Sequence, residues 1–117
     1  MNGRNFTRVN YSVGASIMHD NNVVMCSTDN LSLHGMYLKT DHDLPLNVPV
    51  HITVHHSSQS SFKVNAHVVR KEANGVGLKI TDLNVGSFVQ LRDIVADKSK
   101  DYMKVLTETL SMLKCIC

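Results

Sequence analysis

Short runs in which apolar and polar side chains alternate limit what this chain can fold into more than any other feature. Val9, Tyr11, Val13, Ala15 and Ile17 alternate with Asn10, Ser12, Gly14 and Ser16. Successive side chains of an extended backbone leave opposite faces, so the run predicts a strand over residues 9–17 with one buried side. His19-Asp20-Asn21-Asn22 reads as a turn, and Val23-Val24-Met25-Cys26 as the second, more fully buried strand of a hairpin. Met36-Tyr37-Leu38 makes a third strand, and the polar, proline-bearing segment from Lys39 to Pro49 a loop. Val50, Ile52 and Val54 alternate with His51, Thr53 and His55. Beyond a solvated loop, His56 to Ser61, Phe62, Val64, Ala66 and Val68 alternate with Lys63, Asn65 and His67. Those two strands are expected to pair. Asn74-Gly75, both tolerant of positive φ, predicts a hairpin into a last strand with Val76, Leu78 and Ile80 inward. Six short strands in succession predict a small antiparallel barrel or sandwich.

The period changes after Thr81-Asp82. Val85, Phe88, Val89, Leu91, Ile94 and Val95 recur at three and four residues, the spacing of an amphipathic helix. Asp97-Lys98-Ser99 is expected to interrupt it. A second stripe of Tyr102, Val105, Leu106, Leu110 and Leu113 predicts another helix, packed on the barrel or against a second copy, so residues from about 84 to 115 are expected to be helical. Oligomeric state is left open as monomer or homodimer.

A chain of 117 residues suffices for one core, and a single domain over 1–117 is expected. No apolar run approaches the roughly 18 residues of a membrane span, and the polar N-terminus carries neither a secretory nor a lipidation signal, so a cytoplasmic protein without membrane contact is expected. Twelve basic against ten acidic residues leave a net charge of +2, too little for binding along a DNA or RNA backbone. Three cysteines, Cys26, Cys115 and Cys117, do not make a disulfide framework and fit free thiols in a reducing compartment. His51, His55, His56 and His67 lack the Cys or carboxylate companions of a metal set, so no metal and no cofactor is expected.

Two short patterns hold the candidate chemistry. In Asn30-Leu31-Ser32-Leu33-His34-Gly35 the polar Asn30 and Ser32 alternate with two leucines, so one face can meet a ligand while the other joins the core; taken alone, the composition is that of a turn. Arg4 and Arg8, four apart, fall on one side of the chain, in a segment over residues 1–8 expected to be flexible. Two guanidiniums can converge on one anion, each offering a planar fork that matches phosphate oxygens or the O6 and N7 edge of guanine.

In this order, ahead of these strands, the patterns resemble the PilZ domain family, whose signature is R-x-x-x-R followed by [D/N]-x-S-x-x-G. Ala66-His67-Val68-Val69-Arg70 and Gly75-Val76-Gly77-Leu78-Lys79-Ile80 also resemble the family's paired late strands. The resemblance implies a six-stranded antiparallel β-barrel with a C-terminal helix or helices, acting as a receptor for the bacterial second messenger cyclic di-GMP. It implies that Arg4 and Arg8 grip guanine edges and phosphates while Asn30, Ser32 and Gly35 line the opposite wall. Arg70 is a possible auxiliary contact, and Val68 lies where some members meet a guanine. Asn30 stands where many members carry Asp; an amide accepts more weakly than a carboxylate, by about 1 kcal/mol.

The expected protein is therefore a non-enzymatic receptor or adaptor whose arginine segment orders on ligand binding and acts on a separate, unidentified protein partner. One rival is a module of the same fold that binds proteins and no nucleotide. Another, a barrel for single-stranded nucleic acid, is disfavoured by the charge and by a content of three Phe, three Tyr and no Trp. No nucleophile with a neighbouring base, metal set or phosphate-cradling glycine loop suggests an enzyme.

Overall fold

The structure, a computed structural model, describes residues 6–117. Its strands are β1 (Val9–Asn10), β2 (Gly14–His19), β3 (Asn22–Leu31), β4 (Gly35–Lys39), β5 (Pro49–Ser57), β6 (Ser60–Glu72) and β7 (Gly75–Asp82). They are followed by helices α1 (Val85–Ser99) and α2 (Tyr102–Ser111) and a short 3-10 turn, Leu113–Cys115. All strand pairs are antiparallel, and the ring β3-β2-β5-β6-β7-β4 closes through β3 and β4 into a six-stranded barrel, with β1 added to β3 outside it. Closure leaves no open edge among the six strands. The expected pairing of the fourth and fifth barrel strands, β5 and β6, runs from Pro49↔His67 to Ser57↔Ser60.

Inward residues of the alternating runs fill the barrel: Ala15 and Ile17 of β2, Val50, Ile52 and Val54 of β5, Phe62, Val64, Ala66 and Val68 of β6, and Val76, Leu78 and Ile80 of β7 are all buried. The first run, expected as one strand over 9–17, is instead broken at Tyr11–Val13 into β1 and β2. Thr28 of β3 fills the gap, its buried hydroxyl accepting from Val13 N at 2.9 Å and donating to the Tyr11 carbonyl. The second strand is longer and less buried than expected, reaching Leu31 with Val23 and Met25 in solvent at 63% and 68% exposure.

The turn expected at His19–Asn22 is present between β2 and β3, whereas the one at Asn74-Gly75 differs from its sequence reading. The β6–β7 connection is Ala73-Asn74, and neither Asn74 nor Gly75 has positive φ. Gly75 opens β7, where a Cβ would come closer than 3.0 Å to the Leu38 carbonyl oxygen and to Tyr37 Oη. Close approach rather than φ therefore calls for glycine there. The positive-φ pair belongs to the β2–β3 hairpin, at Asp20 (51°) and Asn21 (67°), residues that tolerate it.

Asn84 caps α1 by accepting from Ser87 N, and the helix buries Phe88, Leu91, Ile94 and Val95. It continues through Asp97-Lys98-Ser99, which were expected to break it, and ends at Lys100 with φ 65°. Asp101 caps α2. Only part of the second stripe faces inward: Val105 is buried and Leu106 half-buried, whereas Tyr102, Leu110 and Leu113 are exposed at 56%, 69% and 59%; Met112, outside the stripe, is buried. The end of the chain is tied to the barrel by Cys117 N donating to the Leu83 carbonyl at 2.9 Å and Leu83 N donating to that of Cys115 at 3.0 Å. Among the described residues no helix is long and apolar enough to cross a membrane.

Candidate ligand-binding site

The hairpin joining β3 to β4 is built by Ser32 and Gly35. Ser32 is 1% exposed, and its hydroxyl accepts from Gly35 N at 3.0 Å and His34 N at 3.2 Å while its own N–H donates to the Gly35 carbonyl at 2.8 Å. One hydroxyl thus satisfies two backbone N–H groups of a tight turn. Gly35 is fixed by packing, since a Cβ there would come closer than 3.0 Å to the Leu78 carbonyl oxygen of β7. Leu31 and Leu33 point into the core, as their alternation predicts.

Against this hairpin lies Phe6–Arg8. Arg4 and the rest of residues 1–5 lie outside the described residues. Phe6 meets the His34 ring with centroids 4.9 Å apart, Thr7 bonds to Glu108 of α2, and Arg8 Nη1 donates to Asn30 Oδ1 at 2.5 Å. The segment expected to be flexible is therefore held at three points over its described part. β1, which pairs Val9 with Leu31 and Asn10 with Asn30, sets the register that brings Arg8 to Asn30. The Asn30 amide in turn donates from Nδ2 to Asp29 Oδ2 at 3.1 Å, a donation that an aspartate at this position could not make.

Arg70 stands near Arg8. Its guanidinium lies 5.5 Å from the Tyr37 ring centroid and its Nε is 2.8 Å from Glu72 Oε2. Partial burial, reinforced by the charge of Arg70, holds the Arg8 pKa below the usual arginine value. Among the described residues Arg8 has no carboxylate partner. An uncompensated guanidinium beside a second one suits an anion, which would relieve their repulsion and accept from Arg8.

The room for such an anion is a cleft of about 320 Å³ lined by Phe6, Arg8, Ser32, His34, Gly35, Val69, Leu78 and Lys79, continued by a smaller recess of about 70 Å³ along Arg8, Tyr37, Val69 and Arg70. Burial, with Lys79 and Lys114 adding their charges, pushes the His34 pKa down, so the imidazole is neutral at neutral pH and can accept as well as donate. A larger cleft of about 760 Å³ between α1 and the β5–β6 end includes Asp93 and Asp97 in its lining, which disfavour an anion there. Of the residues singled out from sequence, Arg8, Asn30, Ser32, Gly35 and Arg70 come together here, whereas Val68 is fully buried.

Four contributors had no clear sequence signal. Val69 occupies an irregularity in β6, where the register to β7 shifts between Val68 and Arg70, and stands out at 47% exposure. Bulges of this kind re-aim side chains beside sites, but alternation cannot locate them. Lys79 reaches the cleft because it pairs with Gly35, a contact set by barrel closure. Phe6 and His34 sat inside or beside the two motifs without belonging to their patterns. Elsewhere His51 contacts Asn65 and His56 contacts Tyr11, and the described residues hold no group of three or more potential metal ligands. Burial raises the Cys26 thiol pKa to about 11, which keeps it protonated and unreactive.

The family model of the PilZ domain matches residues 2–97. The chain belongs to the PilZ domain family. Solved structures similar to it include the PilZ domain with c-di-GMP of YcgR from Escherichia coli, at TM-score 0.67 and 16% identity over 85% of this chain and 93% of that one. The Bacillus subtilis inhibitor of motility MotI/DgrA has TM-score 0.72 and 12% identity, over 86% of this chain and 53% of that one. The PlzA protein of Borreliella burgdorferi in complex with c-di-GMP has TM-score 0.62 and 11% identity, over 79% and 40%. This PilZ chain thus corresponds to about half the length of the motility inhibitor and less of PlzA. No curated protein matches the sequence. The PilZ match takes in Arg8, the Asn30–Gly35 hairpin and Lys79 and stops near the end of α1, so α2 lies outside it.

Proposed function

We propose that this PilZ protein is a cyclic di-GMP receptor that changes conformation on binding and acts on a separate protein. The observation that carries the reading is Arg8, a guanidinium without a carboxylate partner among the described residues, set beside Arg70 at the mouth of a cleft lined by Lys79 and the Asn30–Gly35 hairpin. The volume of about 320 Å³ falls in the ordinary range of small-molecule sites. Cyclic di-GMP offers two phosphates and two guanines, planar and rich in acceptors, which suit arginine forks. Arg4 and Arg8 are assigned to phosphates and guanine edges, Asn30 to a base edge, Arg70 to an auxiliary contact, and Ser32 and Gly35 to the shape of the facing wall. The c-di-GMP complexes of YcgR and PlzA support the choice of ligand, and the motility inhibitor supports a motility output, alongside adhesion or exopolysaccharide.

The proposed switch is an exchange of partners. Arg8 leaves the neutral Asn30 carbonyl for a charged acceptor, which contributes more, and the Phe6–Arg8 segment moves with it. No part is assigned to catalysis, to a cofactor or to nucleic acid. Isothermal titration of the whole chain with cyclic di-GMP, with a linear guanine dinucleotide as control, is the test. Saturable heat with a dissociation constant of about 10 micromolar or tighter is expected, and its stoichiometry separates one bound ligand from an intercalated pair. Absence of heat with cyclic di-GMP overturns the reading and favours the nucleotide-free interaction module.

A further inference from the structure

Glu108 is an acid in an apolar stripe. It lies on the inner face of α2 between Val105 and Met112, and is 7% exposed where its neighbours are 0% and 1% exposed. A buried carboxylate is costly unless its oxygens are occupied. Both are occupied by one residue: Thr7 N–H reaches Oε1 at 2.9 Å and Oε2 at 3.0 Å, and Thr7 Oγ1–H donates to Oε2 at 2.6 Å. No cation pairs with Glu108 among the described residues. These bonds join positions 101 apart in sequence and end one residue before Arg8.

We infer that Glu108 is a positioning residue for the nucleotide site, anchoring Thr7 so that Arg8 is held at the cleft, and that α2 thereby senses whether the site is occupied. The inference rests on the ligand reading above. It also assigns a role to a helix that lies beyond the family match. Physical continuity runs from the α2 backbone through Glu108 and Thr7 to Arg8, and from Arg8 to Asn30 on the barrel. A ligand that draws the Arg8 side chain away from Asn30 loads the Thr7–Glu108 bonds, which keep the segment on α2 and carry the displacement to that helix. An anchored segment binds better than a loose one because its ordering is already complete before the ligand arrives.

The sign of the effect separates positioning from simple charge. Cyclic di-GMP is a dianion, so if Glu108 acted only through its negative charge, neutralising it would tighten binding. An anchor predicts the reverse. In Glu108→Gln, cyclic di-GMP affinity measured by calorimetry falls about tenfold; in Thr7→Val it falls about threefold, and Thr7→Ser, which keeps the hydroxyl, binds as wild type. Amide hydrogen exchange of the unliganded chain reads the anchor without ligand, and Thr7 and Arg8 exchange faster in Glu108→Gln while the strands of the barrel do not. Wild-type or tighter affinity in folded Glu108→Gln and Thr7→Val overturns the inference, as does unchanged exchange at Thr7 and Arg8. Faster exchange in Glu108→Gln together with a wild-type chain that binds no cyclic di-GMP upholds the anchor and overturns the ligand reading instead.

Discussion

The two walls of the cleft are built on different terms. In the Asn30–Gly35 hairpin, Ser32 and Gly35 serve the backbone: the hydroxyl closes the turn, and the missing Cβ lets β4 lie against β7. In Phe6–Arg8 the holds are a ring contact, a carboxylate clamp and one amide acceptor, each made by a side chain. A wall made of backbone geometry is rigid and tolerates little. A wall held by side chains can exchange partners at modest cost, which is what a ligand-responsive element needs. Damage to the first wall should therefore appear as lost stability, and damage to the second as lost binding.

Gly35→Ala should give the largest effect. The added Cβ would run into the Leu78 carbonyl oxygen, and chemical denaturation should show a loss of about 2–3 kcal/mol. Wild-type stability would mean that the hairpin is free to shift and that the contrast between the walls is wrong. Ser32→Ala follows, leaving the Gly35 amide of a buried turn without its hydroxyl acceptor, at about 1–2 kcal/mol in the same measurement. If Ser32→Ala instead kept full stability and lost cyclic di-GMP binding, the hydroxyl would belong to the ligand and not to the turn. Arg70→Ala sharpens the other side: stability should change by less than about 0.5 kcal/mol, because its ion pair with Glu72 is exposed, while affinity falls about fivefold.

The smallest effect concerns His34. Burial, Lys79 and Lys114 lower its folded pKa below the ordinary value of 6.5, so the unfolded chain binds the proton more readily. Stability should fall as pH drops through 6.5, with the loss complete below the lowered folded value. Replacing His34 by Asn should flatten that part of a stability curve recorded between pH 7 and pH 5, and an unchanged slope would show that His34 titrates alike folded and unfolded.

The barrel was legible because its information is local. Alternation in β5, β6 and β7 named the inward residues, since each side chain's face follows from its own position in the strand. Where a long-range partner decides, the reading drifted. The first run splits in two because Thr28, fifteen residues away, takes the hydrogen bonds of Val13. Asn74-Gly75 looked like a positive-φ turn, but the glycine answers to Leu38 and Tyr37 on a strand far back in the chain. The stripe on α2 was read as one apolar face; part of it is in solvent, and Glu108, buried on that helix, is polar and matched no apolar pattern. In the site, residue identity reached Arg8, Asn30, Ser32, Gly35 and Arg70, while Lys79 and Val69 depend on closure and on a shifted register.

The central claim is that Arg8 serves the ligand and not the fold. Arg8→Ala, titrated with cyclic di-GMP and melted alongside the wild type, tests it most directly. Affinity should fall about ten- to a hundredfold, from the loss of charge-assisted hydrogen bonds worth roughly 1.5–3 kcal/mol, with unfolding free energy within about 0.5 kcal/mol of wild type. Equal affinity in the two proteins, or a loss of stability as large as the loss of binding, would contradict the account.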